Sequence, residues 1–131
     1  MAGKPIILDD GAPALAHYPH ARVVGELVFV SGVSSRRPDG GHVGATLMRD
    51  GTMQLDIKQQ TRAVIENIAA ILEAAGAGLA DVVDVTVFLV DMKDYAGMNE
   101  AYNEFFSKQD GPARTTVAVH QLPHPNLLVE M

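Results

Sequence analysis

The helix-like pattern of residues 57–75 constrains the fold more than any other feature of this sequence. Apolar residues recur there at intervals of three and four, Asp56 precedes the segment, and Gly76 follows it as an end signal. Shortly afterwards, residues 82–90 form an almost continuous apolar run, which predicts a strand buried on both faces. A long amphipathic helix followed by such a strand indicates a domain of mixed α and β structure.

Shorter segments predict further strands on both sides of this helix. Residues 22–24 and 27–33 are rich in apolar and β-branched side chains, and the Gly25-Glu26 dipeptide between them suits a tight hairpin turn. Residues 115–120, a β-branched run, and residues 127–131 are interpreted as the last two strands. The two prolines in the connection between them show that this connection is not helical.

A second helix is predicted to begin after Asp94, which is placed as its N-cap residue. The inner face of this helix would carry four apolar or aromatic residues: Met98, Ala101, Tyr102 and Phe105. The glycines and prolines of residues 34–51 predict a loop.

The sequence has no internal repeat, low-complexity tract or dividing linker, so residues 1–131 are interpreted as a single domain. Two helices cover only one face of a sheet, whereas residues 27–30 and 85–90 offer apolar side chains to both faces. An exposed apolar face is adhesive, and packing against copies of the same chain would cover it. We therefore expect a homo-oligomer with a ligand site between subunits.

Composition excludes several classes of function. The sequence contains no cysteine, which rules out disulfides, thiolate catalysis and cysteine-ligated metals. No segment reaches the roughly 18–20 apolar residues of a membrane span, and the first residues lack the layout of a signal peptide. A net charge of −6 with scattered basic residues disfavours nucleic acid. We expect a cytoplasmic protein with no membrane and no nucleic-acid partner.

Arg114 and Glu130 are the residues most suited to chemistry. Arg114 lies where a loop held by Pro112 enters an apolar strand, and its guanidinium can grip a carboxylate with two parallel hydrogen bonds. Glu130 follows within the next strand and could activate a water molecule. The alternative is a surface arginine with Glu130 as its salt-bridge partner, and these two positions alone favour that alternative.

The histidines do not predict a metal site. His120 and His124 are four residues apart, which would suit a metal pair on a helix, but the prolines place them across a turn instead. Two alternatives stay open for them: polar groups or proton carriers in a pocket, and ordinary surface histidines.

The sequence resembles the reactive-intermediate deaminase family, also called Rid or YjgF, over nearly its whole length. The likeness rests, in chain order, on Val28-Phe29-Val30-Ser31-Gly32, the helix at residues 60–76, Met98-Asn99, Pro112-Ala113-Arg114 and Val129-Glu130. The resemblance implies an α+β, chorismate-mutase-like fold in which a six-stranded mixed sheet carries two helices on one face. It also implies a homotrimer, with pairing into a hexamer left open, and active sites between subunits.

The same resemblance implies roles for single residues. Arg114 matches the carboxylate-binding arginine of the family and Glu130 its catalytic acid, while Ser31, Asn99 and Tyr18 match positions that line the pocket. The chain ends one residue after Glu130, where members of the family continue, so two alternatives stay open: a frayed strand end at Glu130, and a shortened form of the chain.

Within the family, the chain is most similar to 2-aminomuconate deaminases, through Ser34-Ser35-Arg36-Arg37-Pro38-Asp39 and the segment 119–125. This likeness implies hydrolysis of the enamine 2-aminomuconate, through its imine tautomer, to 4-oxalocrotonate and ammonia in the degradation of aromatic compounds. No metal and no organic cofactor is expected.

The second carboxylate of such a substrate needs a cation. We assign Arg36 and Arg37 as the cations that bind this second carboxylate, with solvated loop arginines as the alternative for both. His124 is placed among the polar residues of the pocket. Two other functions remain open: a general deaminase of amino-acid-derived imines, and a non-catalytic ligand-binding module.

Overall fold

The computed structural model describes residues 2–131. In chain order, its strands and α-helices are β1 (Lys4–Ile6), β2 (Ala21–Val24), β3 (Leu27–Val30), β4 (Ala45–Leu47), β5 (Met53–Leu55), α1 (Ile57–Ala74), β6 (Asp84–Leu89), α2 (Tyr95–Tyr102), β7 (Ala113–Ala118) and β8 (Val129–Glu130). Single 3₁₀ turns lie at Leu79–Asp81 and Met92–Asp94. No helix in this part of the chain has the length and apolar character needed to cross a membrane.

The strands form two three-stranded sheets and a separate hairpin. Strands β1, β2 and β3 are antiparallel neighbours, β4 pairs with β5, and β6 lies between a parallel β7 and an antiparallel β8. Between the two sheets, the N–H of Val33 donates to the carbonyl of Met131 at 2.7 Å, and the N–H of Met131 donates to the carbonyl of Val33 at 3.0 Å. The expected single six-stranded sheet is not confirmed, because the strand ladder is interrupted between β3 and β8.

Helix α1 confirms the predicted amphipathic segment. Oδ1 of Asp56 accepts a hydrogen bond from the N–H of Gln59 at 2.9 Å and so caps the first turn. Gly76 follows the last turn with a φ of 81°, a conformation that favours glycine. The buried face of α1 packs on α2, β3 and β8, and the core lies between the helices and this side of the sheets.

Strands β1, β4 and β5 have no counterpart in the sequence prediction. Each has only three residues, too few for an alternation of apolar and polar positions to be visible. Since β4 lies within residues 34–51, the prediction of a continuous loop there is wrong. Strand β7 begins at Ala113, so Arg114 lies inside the strand rather than before it, and β8 has only two residues of the predicted 127–131.

The predicted N-cap role of Asp94 is also wrong. Its side chain makes no capping hydrogen bond, and its Oδ2 is buried without a partner. A 3₁₀ turn precedes α2, and Asp91 caps that turn instead, because its Oδ1 accepts a hydrogen bond from the N–H of Lys93 at 2.8 Å.

Strand β6 is buried on one face only, which corrects the prediction for residues 82–90. Val87 and Leu89 are fully buried on the helix side, but Thr86 is exposed and Val83, just before the strand, is 75% exposed. The face away from the helices carries further exposed apolar side chains on β3 and β7: Leu27, Phe29 and Val117. The structure therefore leaves an apolar face of the sheets uncovered, which is the observation from which we predicted an oligomer.

Gln60 on α1 fastens the segment that leads into β8. Its buried Nε2 donates hydrogen bonds to the carbonyls of Gly44 at 3.2 Å and Asn126 at 2.8 Å, and its Oε1 accepts one from the N–H of Leu128 at 2.8 Å. The side chain therefore satisfies three backbone groups at once.

Replacing Gln60 by Leu is expected to lower the free energy of unfolding by at least about 2 kcal/mol, because a buried polar group left without a partner costs about 1–3 kcal/mol. Urea denaturation measures the loss. Gln59→Leu is the matched control, since the neighbouring side chain is exposed. Equal losses in the two variants would mean that the backbone groups find other partners.

Candidate functional site

Arg114 is held by neutral groups of α2. Its Nη2 donates a hydrogen bond to Oδ1 of Asn99 at 2.7 Å and a longer one to the hydroxyl of Tyr95 at 3.4 Å. The guanidinium also lies over the ring of Tyr102, with Cζ 4.7 Å from the ring centroid, a cation–π geometry. Within residues 2–131, no acidic side chain forms an ion pair with Arg114.

The helix spacing explains this arrangement. Tyr95, Asn99 and Tyr102 are separated by four and three residues, so they share one face of α2. The side chain of Arg114 reaches this face from β7, where it pairs with Val85 of the parallel neighbour. Burial raises the pKa of Tyr102, although the nearby Arg114 opposes the shift, and the Tyr102 hydroxyl has no hydrogen-bond partner.

Glu130 occupies a different environment on β8. It pairs with Phe88 of β6, its side chain is partly buried, and no hydrogen bond from another described residue reaches its carboxylate. Burial therefore raises the pKa of Glu130 above its ordinary value. Gly32 makes room for this carboxylate, since a Cβ at that position would overlap Oε1 of Glu130.

A cavity of about 290 Å³ gathers most of the predicted pocket residues around Glu130. Ser31, Tyr18, Arg36 and His124 line it together with Glu130. The hydroxyl of Ser31 donates a hydrogen bond to the carbonyl of Pro19 at 2.7 Å, so its proton is already used on the backbone before β2.

Arg114 lies outside this cavity. It lines a second, open depression with Asn99, Tyr95 and Tyr102. Arg114 and Glu130 stand on the two strands that flank β6, at pairing positions three residues apart, opposite Val85 and Phe88. The structure therefore separates the two predicted catalytic residues within one chain, and the alternative of an Arg114–Glu130 salt bridge is wrong.

The two loop arginines have different surroundings. Arg36 lines the cavity of Glu130 and donates a hydrogen bond to the carbonyl of Pro13. Arg37 points elsewhere and pairs with Asp39, Nε to Oδ1 at 3.5 Å, with both side chains well exposed. Within one chain, Arg37 does not line this cavity, so its assignment to a substrate carboxylate stays a prediction.

His42 is a cavity residue that the sequence analysis did not single out. It is buried, and its ring stacks on that of His124 with 4.4 Å between centroids. Burial lowers the pKa of His42, and the charges of His124, Arg36 and Arg37 lower it further. The only sequence signal for His42 was its position six residues after Arg36. This spacing indicates a shared site only when the structure shows that the two residues pair across a hairpin.

No cluster of three or more His, Asp or Glu side chains among residues 2–131 is arranged to hold a metal ion. His120 is exposed, and His124 faces His42 rather than a set of ligands.

Known proteins are similar to this chain in sequence and in fold. Residues 10–131 match the family model described as Endoribonuclease L-PSP. A RutC family protein of Pyrococcus abyssi is 44% identical over 129 residues, which cover 98% of this chain and 93% of that protein. The protein named "Putative reactive intermediate deaminase TdcF" of Escherichia coli is 35% identical over 123 residues, covering 92% of this chain and 88% of that protein.

A solved structure extends the likeness to three dimensions. The crystal structure of Escherichia coli TdcF with bound serine superimposes with a TM-score of 0.77 at 33% identity, over 97% of this chain and 94% of that chain. The arrangement of α1, α2 and the sheets is thus a fold that this relative also adopts.

Proposed function

Because the chain belongs to the family of the Endoribonuclease L-PSP model, the Rid or YjgF family that its sequence resembles, we propose that it is a general deaminase of enamines and imines derived from amino acids. The observation that carries this proposal is Arg114, a cation held by neutral groups, with which no acidic side chain of residues 2–131 forms an ion pair. Such a cation favours a bound carboxylate, and an imine made from an amino acid carries one beside the reacting carbon.

The relatives support the general activity rather than the narrower one. The name of TdcF describes a reactive intermediate deaminase, and its structure holds serine, an amino acid with one carboxylate. None of the relatives described above supports a specificity for 2-aminomuconate.

The proposed active site lies between two copies of the chain. Arg114 and Glu130 line separate cavities of one copy, so neither cavity contains both the carboxylate-binding cation and the acid. The open face with Leu27, Phe29 and Val117 supplies apolar surface for such an assembly. A homotrimer in which Arg114 of one copy faces Glu130 of the next would complete three equivalent sites.

The chemistry then needs only these two groups. Arg114 fixes the substrate carboxylate, which holds the imine carbon in place for attack. Glu130 takes a proton from the attacking water as oxygen bonds to this carbon, and returns a proton to the nitrogen. Glu130 then carries a second proton from the newly formed hydroxyl group to the nitrogen, the C–N bond breaks, ammonia leaves and the carbonyl product forms. The raised pKa of Glu130 suits this exchange, because proton transfer is most efficient when the pKa lies near the working pH.

Ammonia release from 2-iminopropanoate, generated in the assay by an amino-acid oxidase, tests the proposal. We expect the chain to hydrolyse this imine at least about tenfold faster than water alone, a modest gain on the scale of enzyme catalysis. A rate equal to that of the buffer, with binding of the substrate retained, would leave a non-catalytic ligand-binding module as the function.

A second candidate, 2-aminomuconate deamination, is favoured by one observation. Arg36 lines the cavity of Glu130 and has no acidic partner, so a cation is available for a second carboxylate. The same ammonia assay with 2-aminomuconate decides between the candidates. A kcat/KM above that for 2-iminopropanoate would favour the narrower function, and the reverse order would favour the general one.

A further inference from the structure

We propose that Arg36, His42 and His124 form a second anion subsite in the cavity of Glu130, which takes the distal carboxylate of a dicarboxylate substrate and binds a proton with it. This inference rests on the second candidate function, 2-aminomuconate deamination, for the identity of the substrate, but the subsite itself is argued from geometry and charge. Binding of an unreactive dicarboxylate to the subsite can be measured without enzyme turnover.

A narrow hairpin places Arg36 beside His42. The two residues pair across it as an antiparallel bridge, and the N–H of Val43 donates to the carbonyl of Ser35 at 3.0 Å. Asn67 of α1 fastens the first arm, because its Nδ2 donates to the carbonyl of Arg36 at 3.3 Å as well as to that of Ser34 at 2.9 Å. The rigid helix therefore sets the position of the arginine at the cavity wall.

The histidine pair brings directed hydrogen-bond donors to the same wall. Nδ1 of His124 accepts a hydrogen bond from the N–H of Asn126 at 3.1 Å, so the proton of the neutral ring lies on Nε2. His42 stacks on this ring, and its own nitrogens make no hydrogen bond to any residue between 2 and 131. The guanidinium of Arg36 uses one of its five N–H donors on Pro13, which leaves others for a ligand.

The charges around this wall are unbalanced. His42 stacks on His124 and pairs across the hairpin with Arg36, and the more distant charge of Arg37 also acts on it. Asp39 neutralises Arg37 only, and Glu130, the acid of the same cavity, makes no ion pair. A carboxylate bound among Arg36 and the two rings would supply the missing negative charge.

Anion binding at this wall should be coupled to protonation. Burial and the neighbouring cations lower the pKa of His42, which favours its neutral ring. A bound carboxylate favours the charged ring and raises this pKa, so each binding event takes up protons. The affinity for a dicarboxylate then increases as the pH falls from about 7.5 to about 5.5, through the range in which histidine titrates.

Binding of two matched acids tests the subsite. Muconate carries a carboxylate at each end, whereas sorbate has the same chain length with one carboxylate, and neither has an amine to lose. Calorimetry in two buffers of different ionisation enthalpy gives both affinity and proton uptake. We expect muconate to bind about tenfold or more tightly than sorbate, with proton uptake for muconate only.

Variants locate the effect. Arg36→Gln and His124→Gln are expected to bring the muconate affinity down towards that of sorbate, and His42→Gln to abolish proton uptake. Arg37→Gln is the matched control and should keep the preference, because Arg37 pairs with Asp39 outside the cavity. Thermal unfolding checks that His42→Gln is folded. If this variant does not fold, His124→Gln, at a more exposed position, tests the subsite instead.

Equal affinities for the two acids, or a preference that survives both Arg36→Gln and His124→Gln, would overturn the subsite. The proposed deaminase fails separately, through a lack of ammonia release. If the protein prefers muconate but releases no ammonia, the proposed subsite is supported and the proposed deaminase activity is contradicted.

Discussion

Ammonia release from 2-iminopropanoate is expected to fall by at least about a hundredfold when Arg114 is replaced by Ala. The guanidinium is the only group of its depression that can pair with a substrate carboxylate in two parallel hydrogen bonds. Removing a charged group that stabilises the transition state typically costs about 10²–10³ in rate. Steady-state kinetics measure the loss, and Arg49→Ala, at an exposed loop arginine, is the control.

Arg114→Lys separates charge from geometry. A lysine keeps the charge but presents a single ammonium, so we expect it to recover only part of the lost rate. The thermal midpoint and oligomer size of each variant show whether the fold survives, since Arg114 also packs on Tyr102. If Arg114→Ala retains activity within about threefold, or about 0.65 kcal/mol on the transition-state scale, Arg114 is not the substrate-binding cation.

Local signals explain which parts of the fold could be predicted from sequence. Helix α1 has a long apolar period, a capping Asp56 and a terminal Gly76, and each of these acts within a few residues of the chain. The three-residue strands β4 and β5 exist only because they pair with each other, and neither has a pattern of its own. Asp94 shows the limit of a local signal, because the preceding 3₁₀ turn moves the cap to Asp91.

Strand β6 shows why an apolar run does not determine burial. Val83 is as apolar as Val87, yet the first is 75% exposed and the second is fully buried. Sequence alone cannot distinguish a side chain that its own chain covers from one left for another copy to cover. The prediction of burial on both faces of β6 is therefore wrong for the exposed face, which is the face that the proposed oligomer would cover.

The sequence allowed the residues of the candidate site to be predicted, but not their positions relative to one another. Arg114 and Glu130 stand out because a cation and an acid follow loops into strands, but their separation depends on β7 and β8 flanking β6. His42 joins the site only through its pairing with Arg36 across the hairpin and its stacking on His124, which is far from it in sequence.

Glu130→Gln is expected to lower turnover by about two orders of magnitude or more and to leave substrate affinity nearly unchanged, because the amide keeps the shape but accepts no proton. In the native protein, Glu130 must be ionised to accept a proton from water. Its pKa is raised by burial, so activity should increase with pH through a pKa above that of an ordinary glutamate. The variant should lack this acidic limb, and an affinity loss with full turnover would make Glu130 a binding residue.

The same substitution has a consequence for stability. A carboxyl whose pKa is higher in the folded than in the unfolded protein disfavours folding once the pH exceeds the unfolded pKa, because the unfolded chain ionises more readily. Stability of the native protein therefore falls as the pH rises through the folded pKa of Glu130, and Glu130→Gln should remove this dependence. Urea denaturation between acidic and neutral pH compares the two proteins.

Mixed oligomers test whether the two residues act across a subunit boundary. Arg114→Ala and Glu130→Gln chains are each expected to be inactive alone, but co-expression in equal amounts should restore activity at about a quarter of the sites, because random mixing pairs the intact Arg114 of one chain with the intact Glu130 of its neighbour. Mixtures that remain as inactive as the separate variants would contradict a shared site. Glu130 and Arg114 would then have to act within one chain, across the β6 strand that separates them in this structure.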